Sequence, residues 1–503
     1  MQSDWGETYA PVGKIASFRY LASLAAGLGL AIDHMDVVTA FLNPEVDDPD
    51  LFMEIPEGWD SGDVSESGTG IAAGSIVRLN KALYGLKQAP RLWYKDIDGF
   101  LVKSLNFTQS NADPNLYIHG HGNMRVLLLL YVDDMSIAYP STAATIAKEI
   151  KRSLAEKYKV TNLGTAKQFL GIEINTETSG KEISLGQKAY ITSVLKRFGM
   201  ENAHGAATPM ATDVKLDEAE KHGAREVHPA EYQAIVGSLM YVALATRPDI
   251  SFAVSALSRY SSCPRTTHLT AAKRVLRYLK TTANHRLHFH AKDDKDGDRN
   301  GDRNSDGDSN SDGDSNSNGD SNSDGDSNGD AIANEIIGYT DSDWANDCTD
   351  RKSQGGHVFL CNGGAISWQS RKQDLVASST TEAEYIACSE ASREARWLRQ
   401  LQRDVDGEPD DKPDSNLKTS DQRIHAPMRI FTDSQGALRH ITTGIMKARS
   451  KHIEVCYHNS RDLHARGVVH YDYVNTSENP ADLLTKALAR DKHEKFTRAM
   501  GVW

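Results

Sequence analysis

The sequence predicts a multidomain protein of mixed α+β and α/β class, and three observations lead there. Its 503 residues are enough for two to four separately cored domains. A composition of 39% hydrophobic and 25% charged residues is that of a globular chain. Strand-like apolar runs alternate with helical periodicities on both sides of one low-complexity stretch, the pattern of layered sheets and helices.

Each element follows from its local pattern. Leu30 to Val38 reads as a strand carrying Asp36 outward. Ala89 to Leu105 reads as a helix, since Trp93, Ile97, Phe100, Leu101 and Leu105 recur at helical spacing after Pro90. Arg125 to Tyr139 reads as a hairpin turning through Asp133-Asp134. Residues 142–158 and 187–198 look helical, with strands at 169–174 and 181–185. Farther on, Glu335 to Thr340 and Arg429 to Thr432 are strand-like and deliver Asp341 and Asp433, with two further strands at Gly356 to Leu360 and Ala365 to Gln369. A helix is predicted from Glu384 to about Leu401, a long loop from Asp404 to Gln422, and Asp482 at the start of a closing helix after Asn479-Pro480.

The net charge of −12 argues against nucleic-acid binding only until it is located. Residues 291–330 hold thirteen Asp against Lys292, Lys295, Arg299 and Arg303, so most of the excess sits in one segment and the rest of the chain is near neutral. That segment has too few apolar residues to offset its ordering entropy, and a disordered acidic insert over 291–333 is expected. Asp308 to Gly313 fits half a calcium loop, but Gly319 stands where a bidentate Glu is needed. Five cysteines without a C-x-x-C pair describe no disulfide framework and predict a reducing, intracellular compartment. No apolar run approaches the ~20 residues of a membrane span, and no signal peptide is evident in the polar start.

The chemistry lies in the carboxylates. Asp133 and Asp134, adjacent at a hairpin tip beside an apolar strand, repel each other unless a cation lies between them. Divalent metals resolve the repulsion and supply two-metal phosphoryl transfer; hard oxygen ligands favour magnesium. Asp36 is the candidate third ligand. The same pair is also ordinary turn chemistry, because Asp tolerates tight turns. In the C-terminal part, two strand ends and two helix starts can converge Asp341, Glu384, Asp433 and Asp482 on one point, again a two-metal arrangement.

The motifs in order resemble the reverse transcriptase and ribonuclease H portion of copia-type retrotransposon Pol polyproteins. Met35-Asp36-Val37-Val38-Thr39-Ala40-Phe41-Leu42-Asn43 is similar to the first catalytic motif and Lys81 to Arg91 to the nucleotide-pocket motif. Tyr131-Val132-Asp133-Asp134-Met135 resembles the second catalytic motif and Phe169-Leu170-Gly171-Ile172-Glu173-Ile174 the primer grip. Gly237 to Tyr241, Thr246 to Ile250 and Arg277 to Lys280 resemble the connection; Tyr339 to Ala345, Ser378 to Ala387, Phe431 to Gln435 and Asn479 to Lys486 resemble the ribonuclease H motifs. Lys451 to Glu454 also matches.

The resemblance implies a right-hand palm with partial fingers over 1–180, a thumb over 181–215, a connection over 216–290, and a ribonuclease H-like mixed sheet over 334–492. It implies that Asp36 and Asp133 bind metal with Asp134 in support, that Phe41 is the steric gate, that Gln88 contacts the nucleotide, and that Phe169, Leu170 and Gly171 meet the primer. It also selects Glu384 rather than Glu382. The implied cofactor is Mg2+, two per site, with Mn2+ possible. The implied partners are RNA template, DNA primer, RNA–DNA hybrid, deoxynucleoside triphosphates and other polyprotein products, in cytoplasmic particles with a possible nuclear stage and no membrane. The family's triphosphate-clamping strand, upstream of a segment like Glu7 to Val12, is expected to be missing; Lys14 and Arg19 do not occupy its positions. An inactive nucleic-acid-binding remnant is therefore the alternative expectation.

Overall fold

The computed structural model describes residues 8–57, 74–178, 180–214, 216, 225–291, 334–345, 347, 349–407, 426–443 and 458–503. The acidic insert, its calcium-like half-loop, Lys451 to Glu454 and most of the expected loop after Asp404 lie outside them.

The N-terminal part begins with α1 (Ile15–Leu28) and β1 (Ala31–Val37), then β2 (Phe52–Glu54) and β3 (Ile76–Arg78), which pair as a small hairpin. It continues with α2 (Ala89–Lys103), β4 (Thr108–Gln109), β5 (Leu116–His119), β6 (Val126–Tyr131), β7 (Asp134–Tyr139), α3 (Ala144–Lys157) and β8 (Val160–Thr165). Six strands form an antiparallel sheet in the order β4-β5-β6-β7-β1-β8. One sheet face packs on α2 and α3 through Trp93, Ile97, Leu101, Ile150 and Leu154, the apolar stripes of those helices.

Next come β9 (Gln168–Phe169), β10 (Ile172–Thr176) and β11 (Glu182–Gly186), followed by α4 (Lys188–Arg197), α5 (Pro229–Ala245), α6 (Ser251–Ser258), α7 (Thr266–Thr281) and β12 (Leu287–His290). The four strands form a second sheet in the order β12-β11-β10-β9, so a strand about a hundred residues downstream completes it. The helices α4 to α7 share one apolar core around Leu195, Leu239 and Leu276.

The C-terminal part holds β13 (Ile336–Asp343), β14 (Gln354–Cys361), β15 (Gly364–Lys372), α8 (Thr380–Asp406), β16 (Met428–Thr432), α9 (Gln435–Thr442), α10 (Asn459–Ala465), β17 (Val469–Tyr473) and α11 (Arg490–Ala499). Its sheet runs β15-β14-β13-β16-β17, antiparallel at the first two pairings and parallel at the last two.

Three expectations need correction. The first helix of the C-terminal part, α8, starts at Thr380, not Glu384, because Ser379 accepts from the Glu382 amide as its cap, and it runs on to Asp406. Asp482 lies in a short 3-10 turn, Pro480–Leu484, while the closing helix begins at Arg490. The first helix was not anticipated at all: Ser17 to Ala26 are buried without interruption, so α1 has no polar stripe to reveal its period.

That burial is explained by what lies on either side of α1, which packs on β6 and β7 of the first sheet, β11 and β12 of the second, and β15 of the C-terminal sheet. Arg19, within it, is 5% exposed. Its guanidinium donates to Ile366 O (2.7 Å), Leu244 O (2.6 Å) and Ala245 O (3.1 Å) and stacks on Trp368 at 3.8 Å. Burial pulls its pKa down to about 9, which leaves it charged at neutral pH. The far half of α8 adds polar contacts to the first sheet: Asp404 accepts from Ser110 Oγ and the Ala112 amide, and Trp397 donates to Ala112 O. A second buried tie joins α7 and α11, where Arg247 pairs with Asp249 at 2.7 Å, Tyr278 donates to Asp249 Oδ2, and His493 meets Asp249 O. Among the described residues no helix is long and apolar enough to cross a membrane.

Removing Arg19 takes its donors from two buried carbonyls, Ile366 O and Ala245 O, and from the partly buried Leu244 O, so Arg19→Ala is expected to cost about 3 kcal/mol or more. Urea unfolding followed by near-UV circular dichroism tests this; an unchanged midpoint would contradict it.

Candidate active sites

The first site is at the tip of the β6–β7 hairpin. Tyr131 pairs with Asp134, which leaves Val132 and Asp133 to make the turn. Val132 takes φ 58, a left-handed conformation uncommon for a β-branched residue. Two hydrogen bonds hold it there: Trp93 Nε1 donates to Val132 O at 2.6 Å, and the Val37 amide donates to Asp133 O at 2.9 Å. Asp36 is the cross-strand partner of Asp134, so both carboxylates project from one sheet face. Burial raises the Asp36 pKa, reinforced by Asp133 and Asp134 and opposed by His34. His34 Nε2 lies 2.8 Å from Asp134 Oδ1. The three acids share one corner, yet among the described residues they are not a group whose ligand atoms approach mutually within 4.8 Å.

His34 was missed in the sequence, although its position two residues before Asp36 puts it on the same strand face. Beside it lies a cavity of about 400 Å³ lined by Asp134, Leu163, Lys167, Phe169, Leu170 and Gly171 among others. The expected primer contacts are thus next to the acids, with one correction. Phe169 is fully buried against Phe18 and the His34 ring, beneath the Leu170–Gly171 turn that borders the cavity. Leu170 (φ 51) and Gly171 (φ 73) make the turn between β9 and β10, and Tyr241 Oη donates to Leu170 O at 2.5 Å. A Cβ on Gly171 would meet that hydroxyl at 2.7 Å, so glycine is required here by the turn and by Tyr241. Phe41 is half-buried in the 3-10 turn after β1, its ring 5.0 Å from that of Tyr84. Gln88 occupies the N-cap position of α2 without capping, its Oε1 sealed from solvent and unpartnered. Lys14 and Arg19 both face the C-terminal part, Lys14 lying 4.0 Å over the Trp397 ring.

The second site is at one end of the C-terminal sheet. The parallel register pairs Thr340 with Thr432, so the next residues, Asp341 and Asp433, lie at the same end of adjacent strands. α8 packs across them and contributes Glu384, whose Oε1 accepts from the Ser342 amide at 3.2 Å. Glu382 is engaged elsewhere, accepting from the amide and hydroxyl of Ser378. Ligand atoms of Asp341, Glu384 and Asp433 lie within 4.8 Å of one another. Asp482 stands outside this group, fully buried, with Lys486 at 2.8 Å on one oxygen and Lys492 on the other. The expected four-carboxylate convergence is therefore three carboxylates plus a neighbour already paired with cations.

The turn that carries Asp482 is pinned by Asn479 Nδ2 donating to Thr340 O, by Thr485 Oγ1 donating to Asp341 Oδ2, and by close approach to Gly356, where a Cβ would meet Leu484 at 2.7 Å. Burial pushes Asp341 up to about 7, with Asp482 and Asp433 reinforcing and Lys486 opposing. Burial, then Asp341 and Asp433, raises Glu384 well above the usual carboxylate range. Glu384 Oε2 is sealed from solvent with no hydrogen-bond partner. A buried, mutually repelling set of hard oxygens with an orphaned acceptor suits a divalent cation.

A family model described as reverse transcriptase (RNA-dependent DNA polymerase) matches residues 1–212. The chain is 35% identical over 507 residues to the retrovirus-related Pol polyprotein from transposon TNT 1-94 of Nicotiana tabacum, covering 99% of this chain and 33% of that protein. A putative transposon Ty5-1 protein of Saccharomyces cerevisiae is 30% identical over 361 residues, which is 72% of this chain and 100% of that protein. A solved N-terminal ribonuclease H domain from Mycobacterium tuberculosis, fused to maltose-binding protein, aligns with 33% of this chain and 99% of its own at 12% identity, with a TM-score of 0.22. Residues 1–212 are thus of the reverse transcriptase class. The chain belongs to the copia-type retrotransposon Pol family, and it spans about a third of the length of the Pol polyproteins it matches.

With metal chelated, the folded state holds the Asp341 proton more tightly than the unfolded chain does. Stability from this group is therefore lost as pH rises from about 4 to about 7 and stays lost above. Asp341→Asn removes that loss: its melting temperature should exceed that of the wild type at pH 8 and match it near pH 4. Parallel melting-temperature profiles would contradict the assignment.

Proposed function

We propose that the chain is an RNA-directed DNA polymerase coupled to a ribonuclease H that degrades the RNA strand of the resulting hybrid. The observation that carries the nuclease half is the group of Asp341, Glu384 and half-buried Asp433, brought within ligand distance of one another, with its orphaned Glu384 oxygen. The polymerase half is supported by the family match over residues 1–212 together with Asp36, Asp133 and Asp134 on one corner of the first sheet. In this reading residues 1–180 are the palm with partial fingers, 181–215 the thumb, 216–290 the connection and 334–492 the ribonuclease H-like domain.

Bound at these acids, Mg2+ or Mn2+ would activate the attacking oxygen and stabilise the leaving one. The chain's own groups supply position. Phe41, braced by Tyr84, floors the sugar and excludes a 2′-hydroxyl, and Gln88 faces the incoming nucleotide. Leu170 and Gly171 meet the primer on a turn fixed by Tyr241, with Phe169 propping it from inside. Lys188, Lys196 and Arg197, all exposed on α4, track strand phosphates without reading sequence. Template, primer and deoxynucleoside triphosphates would be met inside the cell, alongside other products of the polyprotein.

A second reading, an inactive nucleic-acid-binding remnant, is favoured by one observation: Asp134 is engaged by His34, and its trio is not drawn to ligand distance. Primer extension on an RNA template with Mg2+ separates the two. Asp133→Asn and Asp134→Asn should each lower extension by at least about a thousandfold, and Asp433→Asn should do the same to hybrid cleavage alone. No extension by the wild type would select the remnant reading, and hybrid cleavage surviving Asp433→Asn would remove that residue from the site.

A further inference from the structure

Lys486 has a placement that the chemistry above does not use. It follows Asp482 by four residues at the end of the Pro480–Leu484 turn, and its ammonium lies 2.8 Å from Asp482 Oδ1 and 3.6 Å from Asp341 Oδ2. Asp482 has a second cation, Lys492, on its other oxygen. Asp341 has no other ion-pair partner among the described residues, and the contacts found for Glu384 and Asp433 there are to the Ser342 amide and the Thr476 hydroxyl. Lys486 is therefore the one cation among the described residues that reaches the three-carboxylate group within ion-pair distance, and it does so through Asp341. Its side chain is 33% exposed, whereas those of Asp341 and Asp482 are 3% and 0% exposed, so the ammonium has a path to water that the acids lack.

We infer that Lys486 is a tethered counter-cation of this centre: it compensates Asp341 while no metal is bound and withdraws from Asp341 as a divalent cation enters. The inference rests on the metal-centre reading above. Two features make withdrawal feasible. Asp482 keeps Lys492 throughout, so no buried carboxylate is stranded when Lys486 moves. The turn itself stays in place, because Asn479 and Thr485 anchor it to β13 independently of the lysine. Metal entry then exchanges one cation for another at Asp341, and the binding free energy is reduced by what the ammonium contributed. The lysine thus lowers metal affinity while protecting the metal-free fold from its own carboxylates.

The experiment is isothermal titration of the full chain with MgCl2, and separately MnCl2, without nucleic acid, paired with melting temperatures with and without metal. Lys486→Met should bind metal about tenfold more tightly than the wild type, melt lower when metal-free, and gain more from metal. Lys486→Gln, which keeps a donor toward Asp482, should tighten binding in the same direction and serves if the Met variant does not fold. Lys492→Met, which removes a cation from Asp482 alone, should change affinity by less than about twofold. Wild-type binding with no tightening in either Lys486 variant overturns the inference and leaves the metal centre standing, as does equal tightening by Lys492→Met. Absence of metal binding in the wild type and both Lys486 variants overturns the metal-centre reading and the inference with it.

Discussion

The buried guanidinium of Arg19 is the constraint on which the arrangement of the molecule depends. It belongs to a helix of the N-terminal part, donates to the α5 carbonyls of Leu244 and Ala245, and reaches β15 by donating to Ile366 O and stacking on the Trp368 ring. Three separately formed layers are thereby held by one side chain that cannot leave without exposing unpaired carbonyls to an apolar interior. A cation in such a place is tolerated because the planar guanidinium distributes its charge over several acceptors and an aromatic face. An aliphatic residue would bury as well but would specify no single orientation among the layers.

That orientation bears on the proposed function. In that reading a hybrid leaving the Asp36–Asp133–Asp134 corner would reach the Asp341–Glu384–Asp433 group only if the two sheets keep a fixed relation. The C-terminal half of α8 supports the same relation from the other side, through Asp404, Trp397 and Arg125, which donates to Val405 O and pairs with Asp406 at 3.0 Å. The Arg247–Asp249 pair adds a third tie between the helical layer and α11. The Arg19 and Arg247 ties are buried, where a misplaced partner is costly and a unique arrangement is favoured, while those of α8 are partly exposed.

The two acid groups differ in how their charge is managed. At the hairpin corner the carboxylates are half-buried, and His34 engages one of them. In the C-terminal sheet the acids are deeper, Asp341 is pushed up to about 7, and two lysines stand close by. Depth explains the contrast: water screens the first trio, whereas the second requires cations supplied by the fold or bound from solution.

Much of this was legible in the sequence where the signal is local. The Arg125 to Tyr139 hairpin, α2, α3, α4 and the strands that deliver Asp341 and Asp433 follow from periodicities of two and 3.6, and those same strands and helices carry the acids in recognisable motifs. The helix start at Thr380 was missed because the Glu in the expected start lies a turn inside, and only the hydrogen bonds of Ser379 and Ser378 show that Glu382 serves the cap while Glu384 turns to the acids. α1 was missed because a helix buried on every side has no amphipathic pattern. The sequence by itself determined which carboxylates exist, which elements bear them and what chemistry they suit, since composition and short-range period decide those. Only the tertiary structure decided that Asp482 is buried and paired with Lys486 and Lys492 rather than free to join its neighbours, that Phe169 packs fully buried on Phe18 beneath its turn, and that Arg19 joins three layers, because each depends on how separate elements pack together.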